Sequence, residues 1–312
     1  MSIDKIIIGY WSTKGLGSAS RQMVIYAGIP LVAKIYKVLP KEENGEIIYE
    51  GSSWHDNDKI NLKNKNSLIN LPYLQFIKDN KEFVISHSNT CLTFLGKELG
   101  MFGENMHEEL ECEQLLQESV DLRNIVTKFA YTHFQSEEEE LQAAKEVFTS
   151  AFENSNSGKL QKFEHWLDTK DNNLVKTFLV GNNISAPDFN LFDTLDLYKK
   201  FLFHYNFIKD AKDENIFELA GFPLVSDFFN NFIKLPKLQK YINSELYKLP
   251  AMYVGSYAEQ DAYLTLELFK RLSTEIQTQN LVEIFDLESQ LFPCLIEMKF
   301  KGVRVDVERA HK

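Results

Sequence analysis

The chain has 312 residues, 44% of them hydrophobic, and a formal net charge of −11. That length suits about two domains with real cores, and the acidic balance disfavours nucleic acid or anionic lipid as a partner. The three cysteines, Cys91, Cys112 and Cys294, are odd in number and lack paired spacing, which argues against a disulfide framework or a zinc site and for a reducing compartment. No stretch reaches the ~18 apolar residues of a membrane span, and MSIDKIIIGYW is not a basic leader. A cytoplasmic protein with no membrane association is expected.

Lys5 to Tyr10 is a short β-branched run, broken by Gly15 and Gly17 before apolar periodicity to about Tyr26. This predicts a strand, a turn and a helix. Leu31 to Leu39 predicts a second strand, and the polar stretch Glu42 to Ser67 a surface loop. Leu71 to Phe76 and Glu82 to Ile85 predict a hairpin around Lys78-Asp79-Asn80, followed by a helix from Ser88 to Leu99 that Gly100 stops. The alternation gives a small α/β domain with a mixed sheet over 1–102.

Beyond Gly103 the periodicity is helical: Met106 to Phe134, Ser136 to Phe152, Leu160 to Leu167, Ala186 to Phe203 and Leu224 to Ile242. An all-helical domain over 103–244 follows. The run Glu137 to Glu140 suits a solvated helix start, where negative charge complements the dipole. In a third piece, 245–312, Met252 to Arg271 and Thr278 to Lys299 read as helices and Gly302 to Val307 as a strand. The ending inside that pattern suggests a fragment.

A thiol of pKa near ~8.5 is only a few per cent ionised at neutral pH, so an enzyme using one as nucleophile must stabilise its anion. Tyr10, where the first strand meets a Gly-containing turn, is placed to do so or simply to pack. Pro72, in the run Asn70-Leu71-Pro72-Tyr73, either holds a cis bond that offers backbone groups to an extended peptide or is an ordinary turn proline. Ser88, after His87, either helps bind a carboxylate at a helix start or only caps the helix. Trp11 and Trp54 either wall a pocket or belong to a core.

Taken in order, IGYWSTKGLGSASRQ, NLPYL, ISHSNT and ISAPDFNLFDTLDLY resemble the mu-class glutathione transferases over about residues 4–244. The resemblance implies a thioredoxin-like glutathione-binding domain followed by an all-α electrophile-binding domain. It makes Tyr10 the donor to the glutathione sulfur, and it makes Leu71, before a cis Pro72, the backbone partner of the cysteinyl unit. Ser88 would hold the γ-glutamyl carboxylate, with His87 where the family usually has glutamine. Trp11, Trp54 and Asn70 would line the site, Lys59 would approach the glycyl end, and Asp121 would reach across a homodimer to the γ-glutamyl ammonium. Leu68 stands where the family places a larger aromatic key, and the arginine expected near Gly51 is absent. Ser185-Ala186-Pro187-Asp188 has capping-box chemistry and a structural role. Partners would be glutathione, as co-substrate and not cofactor, and an apolar electrophile.

About 247–311 resembles the end of the proofreading exonuclease domain of phage-like family A DNA polymerases. Tyr257 and Asp261, four apart, match its motif, but Asp-x-Glu occurs only downstream, at Asp286 to Glu288 and Asp306 to Glu308. The metal site is incomplete, and a chimeric or fused chain without nuclease activity is expected. The alternative to an active transferase is a non-catalytic transferase-fold binding module carrying that fragment.

Overall fold

The computed structural model describes residues 3, 5–37, 39–43, 46–152, 158–168, 177–243, 277–279 and 281–284. Strand β1 (Ile6–Trp11) leads through a 3-10 turn at Gly15–Gly17 into helix α1 (Ser18–Ala27) and then into β2 (Leu31–Tyr36). A hairpin of β3 (Leu39–Glu43) and β4 (Glu46–Glu50) follows. Next come a π-helical turn at Trp54–Asp58 and a short α2 (Lys59–Lys63). The stretch expected to be a plain loop is therefore structured. The strands there are five residues each, and polar residues at Lys41 to Asn44 interrupt the apolar pattern that marks a strand.

Strands β5 (Tyr73–Lys78) and β6 (Lys81–Ser86) form the expected hairpin, and α3 (Ser88–Leu99) follows. Asp79 and Asn80, the two turn residues, have φ of 51° and 58°, the left-handed pair that a two-residue hairpin requires. The main sheet has the order β2-β1-β5-β6, with β1 parallel to β2 and antiparallel to β5. Gly100, at φ 68°, ends α3 as expected.

The remaining described elements are helical: α4 (Met106–Ala130), α5 (Glu137–Phe152), α6 (Lys159–Leu167), α7 (Ala186–His204), α8 (Ile216–Leu219), α9 (Pro223–Ile233) and α10 (Pro236–Asn243). The single helix expected from Leu224 to Ile242 is two. Pro236 lacks an amide proton and disfavours helical backbone at Leu235, so the helix stops and restarts. The α8 turn, at four residues, was too short to leave a periodic signal.

Ile6 and Ile8 on one face of β1 join Met23 of α1, Leu92 of α3 and the inner faces of α4, α7 and α9 in one hydrophobic core. Phe189 and Phe192 of α7 pack edge-on and stacked against Phe232. The opposite sheet face carries a smaller cluster of Tyr36, Trp54, Leu62, Ile69 and Tyr73. All of these elements lie within one compact unit, Met1–Tyr253; a second comprises Val254–Lys312. The elements expected in that second stretch lie outside the described residues except at 277–279 and 281–284, and Tyr257 and Asp261 are among those outside. No helix among the described residues is long and apolar enough to cross a membrane.

Two buried carboxylates start helices. Asp188, fully buried, accepts from the Ser185 amide at 2.7 Å, the Ser185 hydroxyl at 2.6 Å and the Leu179 amide at 2.7 Å. Burial pushes its carboxyl up to about 6 despite the hydrogen bonds that pull it down. Glu164 of α6 accepts from the Leu224 and Val225 amides, both at 2.9 Å, and so caps α9. Asp188→Ala leaves two buried amides unpaired, at about 1–3 kcal/mol each. Urea unfolding is expected to register a loss of about 2–4 kcal/mol, against less than ~0.5 kcal/mol for an exposed control such as Glu113→Ala on α4.

Candidate functional site

Register alone gathers most of the expected residues. Gly9 of β1 pairs with Tyr73 of β5, and Tyr73 pairs with Ser86 of β6. Tyr10 and Trp11 at the end of β1, Asn70, Leu71 and Pro72 before β5, and His87 and Ser88 after β6 therefore meet at one edge of the sheet. The Leu71–Pro72 bond is cis. Leu71 and Pro72 precede the β1–β5 ladder, whose pairs run from Gly9–Tyr73 to Ile6–Phe76.

Tyr10 shares the face of Ile6 and Ile8 and is 9% exposed. Its ring lies under the Gly15–Gly17 turn: a Cβ on Gly15 would stand 2.6 Å from the hydroxyl, and one on Gly17 2.8 Å from the Tyr10 Cβ. Burial pushes the phenol above its usual range, partly offset by a backbone hydrogen bond from Leu16 and by the positive charges of Arg123 and Arg21. Tyr10 thus keeps its proton at neutral pH and is able to donate a hydrogen bond.

Both arginines escaped the sequence reading. Arg123, 9% exposed, pairs with Asp193 of α7 at 3.0 Å. The signal was available, since Arg123 falls on the apolar face of α4 with Leu115, Leu116, Leu122 and Val126, and an arginine there needs a buried partner. Arg21 donates to the Thr13 and Lys14 carbonyls at 3.3 and 3.0 Å. Lys14 also pairs with Asp196 of α7 at 2.8 Å, so the turn over Tyr10 is anchored from both sides.

At the α3 end of the edge, His87 is exposed and held at φ 71°, ψ 130°, a region that costs a non-glycine residue about 1–3 kcal/mol. The first amides of α3 lack intrahelical acceptors and suit a carboxylate. Ser86, which the sequence reading also missed, ties this end to the proline segment. Its hydroxyl accepts from the Asn70 amide at 2.9 Å and donates to the Asn70 carbonyl at 2.8 Å.

Other expected residues lie differently. Trp54 is fully buried, stacked on Tyr73 at 5.7 Å and packed on Tyr36 at 4.9 Å. Its indole Nε1 is buried without a hydrogen-bond partner, and Trp11, half-buried and 6.0 Å from the His55 ring, is the one of the two nearer solvent. Lys59 opens α2, half-buried. Asp121 is exposed on α4 and paired with Lys159 of α6 at 3.1 Å. It lies one helical turn beyond Gln117, which accepts from Asn89 of α3 at 3.2 Å. Leu68 is 72% exposed.

The described thiols are unsuited to be the nucleophile: Cys91 and Cys112 are buried, and burial pushes both up to about 12. Among the described residues no group of three or more His, Cys, Asp or Glu is placed to hold a metal. The edge therefore offers a proton-bearing hydroxyl, a helix start and unladdered backbone, which together suit an extended, anionic peptide thiol.

Residues 120–245 match the family model of the glutathione S-transferase C-terminal domain. Glutathione S-transferase P 2 of Bufo bufo is 31% identical over 208 residues, 63% of this chain and 83% of that protein. Glutathione S-transferase 2 of Gallus gallus is 25% identical over 240 residues, 77% of this chain and 90% of that one. The solved Pi-class glutathione S-transferase of Onchocerca volvulus superposes with a TM-score of 0.53 at 22% identity, covering 76% of this chain and 91% of that one. Separately, a DNA-directed DNA polymerase of Pseudomonas phage M6 is 42% identical over 65 residues, and this chain spans only 10% of the polymerase's length.

Ser86→Ala removes the hydroxyl that holds both backbone groups of Asn70. The expected stability loss is about 1–2 kcal/mol, read from denaturant midpoints at unchanged slope.

Proposed function

The chain belongs to the glutathione S-transferase family, and from that premise we propose that it joins the thiolate of glutathione to apolar electrophiles. The observation that carries this reading is the position of the buried Tyr10 hydroxyl at the edge where the proline segment and the start of α3 converge. The peptide lies extended along Leu71 and Pro72, its γ-glutamyl carboxylate at Ser88 and its sulfur at Tyr10. The hydroxyl donates to the sulfur and lowers its pKa, and Arg123 and Arg21 add a field of the right sign. The thiolate then attacks an electrophilic carbon, displacing a leaving group or adding across a double bond. His87 and Asn70 border the γ-glutamyl and cysteinyl parts, Trp11 backed by Trp54 borders the glycyl part, and the helical half supplies the electrophile's apolar wall.

The mu-class character of the site belongs to this proposal and is supported by the Tyr10-Trp11 pair and the NLPYL segment. So does a homodimer through the face bearing the exposed Leu68, with Asp121 reaching the partner's site. Leu68→Asp is expected to shift a dimer toward monomer in light scattering; a monomeric parent chain refutes the dimer.

The decisive experiment compares the chain with Tyr10→Phe in conjugation to a chloronitrobenzene. Near neutral pH the variant is expected to lose about tenfold or more, or ~1.4 kcal/mol of transition-state stabilisation. The sign with pH follows from Tyr10 remaining protonated: the rate rises as the bound thiol ionises, and the gap narrows above about pH 9, where the thiol ionises unaided. Glutathione binding without turnover favours the binding-module reading. Magnesium-dependent digestion of single-stranded DNA is expected to be absent, because the Tyr257 and Asp261 motif lacks an upstream Asp-x-Glu.

A further inference from the structure

Helix α1 is buried on every side through its first two turns, from Ser18 to Val24, although Ser18, Ser20, Arg21 and Gln22 are polar. Each of those groups needs a partner. Gln22, 2% exposed, donates from Nε2 to the Ser18 hydroxyl at 3.1 Å, one turn back along the helix. Its Oε1 is buried and accepts no hydrogen bond. A buried amide oxygen in that state carries the desolvation cost of the group with nothing to offset it.

Gln22 lines a cavity of about 270 Å³ that lies within the first compact unit, between α1, α7 and α10. Phe192 of α7, Ile233 at the end of α9 and Ile242 of α10 give it apolar walls. Its charged lining is already engaged: Lys14 pairs with Asp196 at 2.8 Å, and Lys199 with Asp213 at 3.1 Å. A ligand therefore has no charge to answer. Tyr10, Leu71, Pro72 and Ser88 are not among the lining residues, so the cavity is distinct from the sheet edge. The volume suits a small ring system, since an apolar cavity of ~150 Å³ already takes up benzene. Apolar walls with one directed polar group are the usual make-up of a small-molecule site.

We propose that this cavity is a second small-molecule site, which takes a neutral, flat, apolar molecule bearing one N–H or O–H group. The walls formed by Phe192, Ile233 and Ile242 hold the ring, and the polar hydrogen is donated to Gln22 Oε1. Glutathione conjugation at Tyr10 stands or falls independently of this site.

The test uses two probes of matched shape, indole with its N–H and the hydrocarbon indene without one, titrated by calorimetry into the full chain and into Gln22→Met. Methionine keeps the size of the side chain and removes the acceptor. Indole is expected to bind the parent with a dissociation constant of about 1 mM or tighter. The ratio of indole to indene affinity is expected to fall about tenfold in Gln22→Met, because only the parent has an acceptor that indene leaves unpaired. Ile242→Trp, which fills the cavity from α10, is expected to lose both probes, and it decides the matter if the methionine variant does not fold. No binding of indole to the folded parent chain, as expected of a cavity that holds water alone, overturns the inference. So does a ratio unchanged in Gln22→Met, or binding unchanged in Ile242→Trp, since either places the probes elsewhere.

Discussion

Everything at the candidate site depends on how closely Tyr73 lies across β1. The Gly9–Tyr73 pair puts the tyrosine ring where a Cβ on Gly9 would stand 2.0 Å from Cε1, so only glycine fits there. With that ring in place, Trp54 stacks on it, the Tyr36 hydroxyl bonds to it, and burial pushes the Tyr73 phenol up to about 12. The same pairing fixes the height at which Tyr10, Pro72 and Ser88 emerge. One missing side chain in β1 thereby sets both the floor and the rim of the site.

The helical half acts on that rim chiefly through α7. Asp188 starts the helix in the core, and from it Asp193 and Asp196 reach Arg123 and Lys14. Asp193 compensates a buried guanidinium whose charge partly offsets the rise of the Tyr10 phenol, and Asp196 pairs with Lys14 in the turn over the Tyr10 ring. Such a pair is weak evidence of net stability, since desolvation offsets much of the attraction, but removing one partner strands a buried charge. The capping chemistry of α7 and the electrostatics of Tyr10 are therefore linked through one rigid element.

The two ends of the edge differ in kind. The α3 end offers backbone amides, fixed in direction and independent of which side chains follow. The β2 end offers side chains, and there Asp58 and Lys34 consume each other.

By itself the sequence determined the elements whose signals are local: the strand ending in Tyr10, the Asp79-Asn80 turn, the α3 helix stopped by Gly100, and the Ser185 to Asp188 cap. Each rests on backbone conformation or short-range hydrogen bonds that neighbouring residues dictate. It also determined the order of Tyr10, Pro72 and Ser88 along the chain. The tertiary structure alone shows that the Trp54 ring is buried against Tyr73 and Tyr36, that Arg21 and Arg123 act on the phenol, that Ser86 clamps Asn70, and that Lys34 pairs with Asp58. Those outcomes are pairings between residues distant in sequence, and burial and charge compensation across such distances leave no local periodicity to read.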